Sequence, residues 1–240
     1  MSAPKWLLPA IGGAGLLTTL GVIALSRSSS KPSWMPDAVT DAVEAIVPTV
    51  ASSSSSPPRP GRVLLIGDSI GAHGGFVREL DQALPGHSFQ NEAVVGHSTG
   101  RMLTEAERTI RPNVFSEVIV EGNINDGDRS ADWTKSNLRR IYQLARDAGA
   151  RVEAVGSTPW RGYVHWAQSA QDRADEVERW LAAGAEGLID AYARVYDAVE
   201  DPARPGYVNP AFEAPDHLHL NSRGQQAMGQ AILAQAYRGA

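Results

Sequence analysis

From Arg62 onward, short apolar runs alternate with apolar stripes at helical spacing, and this alternation narrows the choice of fold more than any other feature of the chain. The run from Arg62 to Ile66 ends at Gly67 and reads as a buried strand. Phe76, Val77, Leu80, Ala83 and Leu84 then mark one face of a helix, which Pro85 and Gly86 stop. The rhythm continues with a strand over 88–95 and a helix carrying Met102, Leu103, Ala106 and Ile110. A strand over 114–121 and a helix carrying Leu138, Ile141, Tyr142, Ala145 and Ala148 follow. After them come a strand over 151–155, a helix carrying Ala170, Ala174, Val177, Trp180 and Leu181, and a short strand over 187–190. Asn221 caps a final helix carrying Met228, Ile232, Leu233 and Ala236. Strand and helix in turn mean βαβ units, so the expected class is α/β, a parallel sheet of about five strands covered on both faces. Sites in such folds lie outside the carboxyl ends of the strands.

The first sixty residues have a different character. Between Trp6 and Leu25 the polar side chains are Thr18 and Thr19, with Lys5 before the stretch and Arg27 and Lys31 after it. A helix of this length spans roughly 30 Å, the thickness of a bilayer core. The expectation is a membrane anchor over residues 1–25, with a cleaved signal segment ending near Ala24-Leu25-Ser26 as the alternative. Residues 26–61 read as a Ser/Pro-rich linker holding one short amphipathic helix through Val39, Val43, Ile46 and Val47. The folded domain is expected over 62–240, membrane-anchored or exported, with the domain outside the cytoplasm. A formal charge of −5 gives no basic face for phosphate, so nucleic acid is not an expected partner. Zero cysteines remove thiol nucleophiles and Cys-ligated metals.

The loops after the apolar runs hold the chemistry. Ser69 stands where the first strand turns into a helix, a position that suits a cap as well as a nucleophile. His219 is the candidate base, and Asp216, three residues before it, is placed to orient one ring nitrogen and free the other for Ser69. The backbone N–H of Ser69, the backbone N–H of Gly96 and the side-chain amide of Asn125 are candidate oxyanion donors from neighbouring strand ends. His97 adjoins Gly96 and could line an acyl pocket. Trp160, Arg161, Tyr163 and Trp166 form an aromatic and basic loop, able to contact substrate or to pack on its own domain. Asp216, His217 and His219 lack a third histidine at motif spacing, so no metal site is expected.

Gly67-Asp68-Ser69-Ile70 resembles the first block of the SGNH (GDSL-type) hydrolase family. Asn91-Glu-Ala-Val-Val-Gly96 is similar to the second block, Asn125-Asp126 to the third, and Asp216-His-Leu-His219 to the fifth. The blocks occur in order across the domain. The resemblance implies a flavodoxin-like three-layer α/β/α sandwich and a serine esterase without cofactor or metal. It assigns Ser69 as nucleophile, His219 as base, Asp216 as its orienter, and Gly96 and Asn125 as oxyanion donors. Two departures stand out. Asn123 and Ile124 separate Gly122 from Asn125, which leaves Asn123 as the reserve oxyanion donor, and the first block continues Gly71-Ala-His73. The expected substrate is an ester, with O-acetyl on an envelope carbohydrate preferred and a lipid ester or thioester next. An acyltransferase and a silent binding module of the same fold are the rivals. The G-x-S-x-G pattern at 67–71 also fits a nucleophile elbow, but that elbow normally follows several strands rather than the first.

Overall fold

The computed structural model describes residues 59–237, so the expected anchor at Trp6 to Leu25 and nearly all of the linker lie outside the described residues. Among the described residues no helix is long and apolar enough to cross a membrane.

Five strands form one sheet: β1 (Arg62–Ile66), β2 (Ser88–Asn91), β3 (Glu117–Glu121), β4 (Arg151–Val155) and β5 (Ala191–Ala193). Their order is β2-β1-β3-β4-β5, and every neighbouring pair is parallel. The helices are α1 (Ser69–Ala72), α2 (Gly75–Ala83), α3 (Thr99–Thr109), α4 (Ala131–Asp147), α5 (Gln168–Ala182), α6 (Tyr196–Val199) and α7 (Ser222–Ala236). Side chains alternate along each strand, which explains the layers. Val63, Leu65, Ile119, Val155 and Ala193 pack with Phe76, Leu80, Met228 and Ile232 of α2 and α7. Leu64, Ile66, Val118, Val120, Val152 and Ala154 face the other way, onto Met102, Leu138, Ile141, Val177 and Leu181 of α3, α4 and α5. Both faces are covered, as the near-continuous apolar character of β1 requires.

The chain moves from β1 to β2 in one direction and then returns past β1 to β3, β4 and β5 in the other. The switch point therefore lies between β1 and β3, and the crevice outside their carboxyl ends is where a ligand site is built in such sheets. Two caps hold the helices that frame it. The Ser130 hydroxyl accepts from the Trp133 amide at 3.2 Å, and Asn221 Oδ1 accepts from the Arg223 and Gly224 amides at 2.9 and 3.1 Å. At the opposite, amino end of the sheet, Arg151 pairs with Glu117 and Glu153, and its Nη2 donates to the Ala236 carbonyl at 2.9 Å. That contact ties the last turn of α7 to β4.

Three strands differ from the sequence reading. β2 ends at Asn91; beyond it only the Glu92 and Val94 amides still reach the Leu65 and Gly67 carbonyls, at 2.9 and 3.1 Å. β3 begins at Glu117 rather than at 114. β5 starts after Asp190, because Ala185, Glu186 and Gly187 take left-handed backbone at φ 45°, 62° and 82°. Asp190 instead accepts from the Val152 amide at 2.8 Å, at the amino end of β4.

Candidate active site

β1 runs out at Ile66, and Gly67 and Asp68 carry the chain into α1, whose first residue is Ser69. Asp68 caps this short helix, its Oδ1 accepting from the Ile70 amide at 3.0 Å. The other oxygen, Oδ2, accepts from Asn125 Nδ2 at 3.0 Å. Below the turn lies Glu121, the last residue of β3. Its Oε2 accepts from the Gly71 amide at 3.0 Å and from the Asp68 amide at 3.4 Å. Glycine is required on both sides of Ser69 here. A Cβ on Gly67 or Gly71 would stand 2.9 or 3.0 Å from that carboxyl oxygen. Burial pushes the Asp68 carboxyl up to about 6, against the lowering pull of the Ile70 amide and of His219. Burial, and then the neighbouring Asp68 carboxyl, push Glu121 well above the usual carboxylate range.

The second arm of the site is the loop before α7. Asp216 Oδ1 accepts from the Leu218 and His219 amides at 3.1 and 2.9 Å, which folds the loop back on itself. Asp216 Oδ2 then meets His219 Nδ1 at 2.6 Å. Partial burial raises the Asp216 carboxyl, but the hydrogen bond from His219 and the two amides outweigh it and hold the group at about 2. His219 Nε2 is buried and makes no hydrogen bond, so it is not joined to the Ser69 hydroxyl. Its ring nevertheless lies beside the short helix that Ser69 begins. The His219 and His73 rings meet edge to face at 4.8 Å between centroids, and His73 ends α1, the helix that Ser69 begins.

The candidate oxyanion donors come from the intervening loops. Gly96 is exposed and has φ 74°, a backbone that favours glycine. Asn125 is turned towards the nucleophile turn through Asp68, whereas Asn123 points away and donates to Glu178 Oε1 of α5 at 3.3 Å. Gly122 has φ 114°, and a Cβ there would stand 2.8 Å from Asp68 Oδ2. The third block thus keeps its glycine and accommodates the extra residue in a 3₁₀ turn over Ile124–Asp126. Asp126 anchors that turn. It accepts from the Thr99 amide and hydroxyl, each at 2.8 Å, and from the Thr134 hydroxyl. Arg173 of α5, buried, donates to the Gly127 and Ile124 carbonyls and fixes the same turn from the other side. Sequence reasoning missed Arg173, although it lies on the apolar stripe of its helix with Ala170, Ala174 and Val177.

Trp160 is placed differently from a substrate-facing residue: it is 4% exposed and packs with Ile124 and Leu218. Those two residues adjoin Asn125 and His219 in sequence, so the indole is a wedge between the 124–126 turn and the 216–219 loop. Arg161 is exposed and lies over the Trp166 ring at 5.2 Å, while its amide donates to the Gly206 carbonyl at 2.9 Å. His97 is partly buried, and its Nδ1 has no hydrogen-bond partner. Trp160→Ala is expected to cost about 3–5 kcal/mol of stability, the usual range for a buried aromatic cut to alanine. Urea unfolding at neutral pH measures it; a loss under 1 kcal/mol would contradict the wedge.

The carboxyl end of the sheet thus carries the Ser69 turn, and the loop holding Asp216 and His219 packs its imidazole against the end of the same short helix. The model of the GDSL-like Lipase/Acylhydrolase family matches residues 65–227, and the chain belongs to this family. No curated protein matches the chain in a sequence comparison. Among solved structures, a GDSL-like lipase from Bacteroides thetaiotaomicron is 18% identical, covering 82% of this chain and 96% of its own, with a TM-score of 0.58. A member of the lipolytic protein G-D-S-L family from Veillonella parvula is 17% identical over 72% of this chain and 96% of its own, with a TM-score of 0.58. A variant of an acetyl-xylooligosaccharide esterase from Geobacillus Stearmophilus is 17% identical over 72% of this chain and 93% of its own, with a TM-score of 0.59. At these identities the likeness is one of fold, and the chain is an SGNH-type hydrolase acting on ester bonds.

Proposed function

We propose that the protein cleaves esters through an acyl-enzyme on Ser69. His219 Nε2 takes the hydroxyl proton as Ser69 Oγ attacks the carbonyl carbon, and Asp216 steadies the imidazolium through Nδ1. The Ser69 and Gly96 amides and the Asn125 side chain donate to the oxyanion. The same imidazolium then protonates the leaving alcohol, and a water activated by His219 releases the acid. The observation that carries this reading is the Asp216–His219 contact of 2.6 Å on a ring packed against the end of the Ser69 helix.

The substrate proposed is a short acyl ester, O-acetyl on an envelope carbohydrate. Trp160 is buried against Ile124 and Leu218 and offers no exposed indole face to a long acyl chain. The apolar stretch from Trp6 to Leu25 suits a domain held or sent outside the cytoplasm. A nitrophenyl ester series with the full chain tests the acyl preference. Acetyl and propionyl esters are expected to exceed octanoyl esters in kcat/KM by about tenfold or more, since each unaccommodated methylene forfeits its burial. A preference for long chains would defeat the acetyl-esterase reading, and acetate release from acetylated envelope polymer would support it.

A further inference from the structure

Two buried carboxyl groups lie under the Ser69 turn, and neither belongs to the Ser69–His219–Asp216 set. Glu121 reaches across from β3 and accepts through one oxygen from the amides at 68 and 71, so it grips the turn on both sides of Ser69. Asp68, fully buried, divides its two oxygens between the Ile70 amide and the Asn125 side chain. Three glycines make room for the pair: Gly67 and Gly71 against Glu121, and Gly122 against Asp68. A primary amide has two N–H groups in one plane. Fixing one of them on Asp68 sets the direction of the other.

We propose that Asp68 and Glu121 are linked positioning residues for ester hydrolysis: Glu121 holds the turn that presents Ser69, and Asp68 holds the Asn125 amide so that its second N–H faces the oxyanion. The inference rests on the Ser69 reading above and extends it by two residues.

The chemistry of the pair supports these roles. Neighbouring buried carboxyl groups do not both carry charge, because each charge disfavours the other and burial disfavours both. Asp68 is faced by Glu121 from β3, by Asp126 and Asn125 from the turn after it, and by His219 from the loop before α7; Glu121 is faced by Asp68. Burial and the neighbouring Asp68 carboxyl both disfavour charge on Glu121, whereas Asp68, at about 6, is ionised near pH 8. A carboxyl oxygen accepts in either protonation state, so Glu121 keeps both amide contacts. The ionised Asp68 makes a charge-assisted bond to Asn125, the stronger kind.

The test compares the full-length wild type with Asp68→Asn, Glu121→Gln, Glu121→Ala and Ser69→Ala on p-nitrophenyl acetate, with circular dichroism on each. Asp68→Asn is expected to lose about tenfold or more in kcat with KM within about twofold, because its amide cannot accept from Ile70 and Asn125 together. The wild-type to Asp68→Asn ratio of kcat is expected to narrow as pH falls below about 6, where the wild-type carboxyl is itself neutral. Glu121→Gln, still an acceptor, is expected within about threefold of wild type, and Glu121→Ala about tenfold below it. Wild-type kcat in Asp68→Asn, a loss confined to KM, or a ratio flat with pH would overturn the Asp68 role. Equal impairment of Glu121→Gln and Glu121→Ala would overturn the Glu121 role. If Glu121→Ala does not fold, a Glu121→Gln loss of tenfold or more overturns it as well. Full activity in Ser69→Ala would sink the underlying hydrolase reading, whatever the other variants do.

Discussion

Ser69→Ala is expected to lower kcat on a nitrophenyl ester by about 10⁴- to 10⁶-fold, the scale seen when a serine nucleophile is removed. Two features make the substitution clean. Ser69 opens α1, and alanine is a good helix former, so the turn keeps its backbone. The cap of α1 belongs to Asp68 and the grip on the turn to Glu121, neither of which uses the Ser69 side chain. Stability is therefore expected to change by less than about 1 kcal/mol. A small rate above that of water should persist, because the candidate oxyanion donors remain. Labelling by a fluorophosphonate probe should disappear with the hydroxyl. Equal turnover by variant and wild type would remove Ser69 from the mechanism.

Asp216→Asn is the second large effect, with an expected loss of about 10⁴-fold in kcat, as for other triads in which the orienting carboxylate becomes an amide. The carboxylate accepts from His219 Nδ1, which fixes the tautomer that leaves Nε2 free to take a proton. An asparagine can still accept from the Leu218 and His219 amides and so keep the loop, but it then presents an N–H to Nδ1. That selects the opposite tautomer, with the proton already on Nε2. Asp216 is depressed from 3.8 to about 2, so its contribution to stability is fully present above about pH 4 and is lost as pH falls towards 2. An acid loss of activity well above pH 4 therefore does not come from Asp216.

The layers of the fold were legible because buried strands and amphipathic helices write different periods. β1 and the stripe on α4 lie where the pattern puts them, and Asn221 caps α7 as expected. β5 was misplaced because three residues and a run of left-handed backbone leave little periodic signal. Asp216 and His219 were readable because their contact is local, three residues apart in one turn. Glu121, Arg173 and His73 were not, since each acts on a loop distant in sequence. Glu121 looks like the polar end of a strand and His73 like a surface imidazole, while Arg173 is a lone charge on an otherwise apolar stripe whose partner carbonyls lie far away in sequence. The sequence left the Trp160 loop open between contacting substrate and packing on its own domain, and Trp160 takes the second course, against Ile124 and Leu218.

The order of the site along the chain has a consequence for biosynthesis. Ser69 is made early, directly after the first strand, while Asp216, His219 and α7 come at the far end. α7 also carries Gln225, whose side chain accepts from the Phe76 amide at 3.0 Å and donates to the Ile70 carbonyl at 3.4 Å, bracing the start of α2 and the serine's own helix. A nascent polypeptide from which residues 216–236 have not yet emerged holds Ser69 without the proposed base and without the Gln225 brace, so on this reading it is chemically silent until that segment folds back.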